Sequence, residues 1–156
     1  MLYLTIITTL IALIVAFVAL QQFFLARERF KLDLFEKRLA IYKTVEKFLE
    51  DAFTYRTVSS ERKQAFYNDT QMAGFLFEQD IVDFLKKLRD MGDELTVAHE
   101  KSRLEEPGSN ERMALGKVRE RVLTELFDIH RDLRETFSPY LKLSKWHWGF
   151  IWKFSN

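Results

Sequence analysis

Cysteine is absent from the 156 residues, and proline and glycine are scarce, at two and five. Without cysteine there is no disulfide framework, no thiolate nucleophile and no Cys-based zinc site. With so few turn formers, a β protein that must turn every 8–12 residues or so is excluded. Neither sign of charge dominates: 24 basic against 23 acidic side chains leave +1, so there is no global basic field of the kind nucleic-acid binders use. The histidines number three and lie far apart in the chain.

What is present is apolar and helical in pattern. Residues 2–20 (LYLTIITTLIALIVAFVAL) hold no charge, and three threonines are their only hydroxyl residues besides Tyr3. Roughly 20 apolar residues span a hydrocarbon core as a helix. A cleaved signal peptide needs a basic leader and a small-residue processing site. Here the apolar run follows Met1 directly and is succeeded by Gln21, Gln22, Phe23 and Phe24. The expectation is a retained anchor over residues 1–22. No Lys or Arg precedes it, while Arg27, Arg29 and Lys31 follow closely. That asymmetry places the N-terminus outside and the rest in the cytoplasm. Small residues recur along one side, at Thr5, Thr8, Ala12, Ala16 and Ala19, a stripe that lets helices approach each other in lipid.

Beyond the span, Leu32, Phe35, Leu39, Tyr42, Val45, Leu49 and Ala52 advance in steps of three and four, with Leu34, Ile41 and Phe48 widening the stripe. This is a helix with one buried face, continuing the anchor to about Phe53. A break over residues 54–60, a short helix capped by Ser60 and a stop or bend at Gly74 follow. A second long helix is expected over 78–105. Pro107-Gly108 is the clearest loop, and Asn110 or Ser109 caps a third long helix, which should stop near Ser138-Pro139. The fold class is all-α: one transmembrane helix running into an antiparallel cytoplasmic bundle over residues 23–141. Counting three long legs, the chain leaves the membrane, returns and leaves again, so residue 141 would lie at the membrane-distal end.

Residues 142–156 (KLSKWHWGFIWKFSN) form a tail of distinct composition. It holds Trp146, Trp148, Phe150 and Trp152 with Lys145 and Lys153, and no acid. Such a mixture suits a lipid headgroup boundary, a groove on another subunit, or the open end of its own bundle. The distal placement favours the last two.

Catalytic signals are poor. A hairpin about Pro107-Gly108 sets His130 opposite about residue 84 and His99 opposite about residue 115, roughly 20 Å apart at 1.5 Å rise per residue. No metal-binding H-E-x-x-H and no phosphate-cradling glycine loop occurs, and neither cofactor nor metal is expected. Helical ribonucleases of the HEPN class carry an Arg followed by His after four to six residues. Arg121 precedes His130 by nine positions and Arg89 precedes His99 by ten, while Lys142 before His147 has the spacing with the wrong cation.

Three segments, KLDLFEKRLAIYKTVEKFL (31–49), FLFEQDIVDFL (75–85) and FSPYL (137–141), resemble a broad group of small bacterial proteins with one N-terminal membrane helix and a cytoplasmic helical domain. The architecture is also similar to the membrane accessory protein of RNA-targeting CRISPR systems, which resembles a HEPN fold and assembles into a pore. With the small outer part, the small-residue stripe and the aromatic tail, this resemblance leads to the expectation of a non-enzymatic, self-associating effector or adaptor of anti-phage defence that clusters or forms a pore. Its expected contacts are lipid, copies of itself and a protein from the same operon, with no direct nucleic-acid binding. Two other roles are open: a passive tether for a soluble partner, and a divergent HEPN-like nuclease.

Overall fold

The structure is a computed structural model that describes residues 2–142. Every regular element among them is a helix: α1 (Leu2–Tyr55), α2 (Ser60–Thr70), α3 (Ala73–Leu76), α4 (Gln79–Leu104) and α5 (Asn110–Leu141). The chain divides after Glu36 into two units, residues 1–36 and residues 37–156.

Among the described residues, unit 1 is helix alone. Ile6, Ile7, Leu10, Ile11, Leu13, Ile14, Val15, Phe17, Val18 and Leu20 are each about half exposed or more, and they point to every side of the helix. Leu32, expected on the buried stripe, is 51% exposed; beyond it, the first fully buried residue of α1 is Ile41.

Unit 2 contains the core. Ile41, Val45, Phe48, Leu49 and Ala52 of α1 meet Ile81, Leu85, Leu88 and Leu95 of α4 and Val122, Leu126, Leu133 and Phe137 of α5. The α1 face was legible as an apolar periodicity. Lys87 pairs with Glu125, and Glu94 with Arg121, so residue numbers rise on α4 as they fall on α5 and the two helices are antiparallel. Tyr42 against Phe137 and Phe53 against Phe127 make α1 antiparallel to α5 as well.

That pairing overturns the leg count. Phe48 of α1 meets Phe66 of α2 and Asp51 pairs with Arg62, so α2 runs back along α1. Lys63 then pairs with Asp93 on α4. The short helices α2 and α3 are thus a full return leg. Helix α4 runs parallel to the end of α1, and α5 comes back to the end at which α1 enters unit 2. Residue 141 is at the near end of this unit, not the far one.

Local chemistry explains the boundaries. Arg56 takes φ 54° and ends α1. Ser59, not Ser60, caps α2, its hydroxyl accepting from the Arg62 amide at 3.2 Å. Gly74 neither ends nor bends an element but sits inside α3. Ser109 caps α5 through the Arg112 amide at 3.1 Å, next to Gly108 at φ 89°, a left-handed turn that favours glycine. Helix α5 continues through Pro139 to Leu141. A proline there forfeits one backbone bond in the final turn, and buried Phe137 together with the contacts of Tyr140 holds the turn in place.

Candidate functional site

In unit 1 the stripe Thr5, Thr8, Ala12, Ala16 and Ala19 lies on exposed helix surface. The Thr8 and Thr9 hydroxyls both donate to the Thr5 carbonyl, at 2.9 and 2.8 Å. The Thr8 proton is therefore committed to its own helix, and the stripe offers a neighbour small volume more than a donor. A shallow hollow beside it is lined by Thr5, Ile6, Thr9, Leu10 and Leu13. An 18-residue stretch of α1 reaches a mean hydropathy of 2.2 with none of it buried inside the chain. Each fully buried aliphatic or aromatic side chain is worth roughly 1.5–3 kcal/mol. Ten such side chains, each about half exposed, thus represent on the order of 10 kcal/mol of transfer energy that the fold itself does not collect.

Of the three cations expected to flank the span, Lys31 is tied to Glu28 at 2.9 Å. Arg27 and Arg29 are exposed on the same helix. Glu28 escaped the sequence reading because only cations were counted.

In unit 2 the near end is organised by Arg38, which the sequence reading did not single out. Its Nε donates to the Leu76 carbonyl at 2.8 Å and its Nη1 to the Tyr140 carbonyl at 3.2 Å. Both carbonyls lie in the closing turns of helices, where no amide of the same helix is available to them. The guanidinium also lies 5.7 Å from the ring centroids of Phe77 and Tyr140, close enough for cation–π attraction. The Tyr140 hydroxyl donates to Asp80 at 2.7 Å. That hydrogen bond, with desolvation and the Asp80 charge, pushes the Tyr140 phenol up to about 12.

Beside this cluster lies a shallow hollow of about 260 Å³ lined by Tyr42, Arg134, Ser138, Leu141 and Lys142. Arg134, Ser138 and Leu141 recur at helical spacing on α5, and Lys142 follows as its C-cap. The tail residues Lys145, Trp146, Trp148, Phe150, Trp152 and Lys153 lie outside the described residues, as does His147.

The other two histidines are kept apart. His130 packs edge-on against Phe53, with ring centroids 5.8 Å apart. His99 sits near Arg119, and its Nδ1 is buried with no hydrogen-bond partner. Desolvation, then the charges of Arg119 and Arg103, push the His99 imidazole below its ordinary range. Among the described residues no three His, Asp or Glu side chains gather around a point where an ion could sit. Comparison with known proteins finds no matching family, no matching curated protein and no matching solved structure.

Proposed function

We propose that this chain is a single-pass protein of a bacterial inner membrane, with its N-terminus outside and unit 2, an antiparallel helical bundle, in the cytoplasm. It acts by gathering copies of itself, as an effector or adaptor, with no chemistry of its own. The observation that carries this reading is the bare apolar surface of α1: a helix exposed on every side over residues 6–20 needs a hydrocarbon surrounding. The cations at Arg27 and Arg29 support the orientation. The small-residue stripe supports association between anchors, because tight backbone approach takes the place of the hydrophobic drive that lipid abolishes. In the setting that the sequence resemblance implies, clustering of anchors on an infection signal would perturb the bilayer.

The test has two parts. The full chain should stay with membranes through alkaline carbonate extraction, and a reporter fused at Asn156 should be active only inside the cell. In detergent, light scattering should give a mass above one chain plus micelle. A strictly monomeric particle would remove the self-associating effector and leave the tether.

A further inference from the structure

Among the described residues, two buried side-chain nitrogens have no hydrogen-bond partner: Nδ1 of His99 and Nε of Arg119. We infer that His99, Arg103 and Arg119 form, beside Gly116, a binding site for the phosphate group of a small molecule. The site lies between α4 and α5, wholly inside unit 2, and is independent of the anchored reading.

Register brings its members together. The pairing of Glu94 with Arg121 sets His99 of α4 opposite about residue 116 of α5. Arg103 stands one helical turn beyond His99, and Arg119 one turn beyond Gly116, so each pair shares a face of its helix. Gly116 lies inside α5, where glycine is less stable than alanine. Yet a Cβ at that position would meet nothing within 4 Å. Close packing therefore does not account for the glycine, and room is open on the face that Arg119 shares. The Arg119 guanidinium is held from its other side, Nη2 donating to the Arg56 carbonyl at 3.2 Å. Its Nε is thus fixed in place and still unused.

Charge selects the ligand. After desolvation, the charges that bear on His99 are Arg119 from α5 and Arg103 from α4, with Glu100 of α4 acting last and in the opposite sense. Glu120, next to Arg119 in sequence, is taken by Arg56. A water molecule at the site would satisfy the two nitrogens and leave two cations facing one imidazole. A phosphate group accepts from Arg119 and Arg103 in charge-assisted bonds and cancels their repulsion. Its negative charge also favours a proton on His99, which makes Nδ1 a donor as well. A carboxylate, with one charge on two coplanar oxygens, matches three donors spread over two helices less well.

The full chain in detergent, carrying isotope-labelled histidine, is titrated with sodium phosphate against chloride at constant ionic strength. The His99 resonance is the one missing from the His99→Gln spectrum. It should move along a saturating curve, and at saturation the proton affinity of His99 should be raised about tenfold or more, as a close opposite charge brings. Phenyl phosphate is run in parallel. Tighter binding of the ester assigns the site to a phosphomonoester and tighter binding of the ion to free phosphate; both support the inference. Arg103→Gln alters an exposed side chain and should weaken binding several-fold with the unfolding midpoint unchanged. Gly116→Leu fills the open space and should abolish saturation while His99 still titrates. A His99 resonance that ignores phosphate overturns the site. So does one that follows phosphate linearly, as general exclusion of the salt from the protein surface would make it do. Saturation that survives Gly116→Leu overturns it too.

Discussion

Gly92 is the tightest point in the core. A Cβ there would stand 2.6 Å from Cζ of Phe48, and Phe48 is itself 1% exposed and pressed on Phe66 at 4.4 Å. The ring has nowhere to retreat. Gly92→Ala should therefore destabilise unit 2 by about 1–3 kcal/mol through overpacking, against the roughly 1 kcal/mol that alanine gains over glycine inside a helix. Denaturant unfolding followed by circular dichroism checks the sign. Histidine 99 supplies a pH signature. Its folded-state affinity for a proton is lowered, so the unfolded chain binds the proton more readily. The associated stability is complete above the ordinary histidine range near 6.5 and drains as pH falls through it. Unfolding midpoints measured across that range should drop on the acid side, and His99→Gln should flatten the drop. Such single-residue facts were not legible beforehand. The apolar stripe of the first helix included Phe48, but which glycine meets that ring depends on the crossing of two helices distant in sequence.

At the scale of elements, α4 and α5 were read nearly to their ends, because long periodic segments with a Pro-Gly loop between them carry a strong signal. The His130 expectation survived for the same reason: the observed pairing of Lys87 with Glu125 sets His130 opposite about residue 82, close to the expected 84. The failure was in α2 and α3. One short helix was expected there and left out of the leg count, and α3 was not expected at all, so the direction of α5 was misjudged. Pro139 misled in the same way: sequence alone forbids a helix there, while packing at Phe137 and bonding at Tyr140 permit one. For the apolar element the expected effect is sharp. Leu13→Arg puts a guanidinium near the middle of the span, costing about 2.5–3.5 kcal/mol of insertion. The fraction retained in carbonate-washed membranes should fall accordingly, whereas Thr9→Ala should leave it unchanged.

For the whole molecule, two units imply two melting behaviours. Unit 2 owes its helices to side-chain packing between elements far apart in the chain, and should unfold in one cooperative step. Unit 1 has no such packing, and in detergent its backbone bonds are satisfied within the helix itself. Heating the detergent-solubilised chain should abolish most of the helical signal and leave about a quarter, the share of α1 within residues 2–36. Complete loss in one transition would show that the apolar stretch depends on unit 2 for its helicity.

Arg38 gives the near end a mechanical character. One guanidinium grips the close of α3 and the close of α5 at the same time, from a helix that is neither. A pull at the close of α5 is thus shared between that side chain, the Tyr140 hydroxyl on Asp80 and the buried ring of Phe137. Removing that one guanidinium would strip a donor from both closing carbonyls at once.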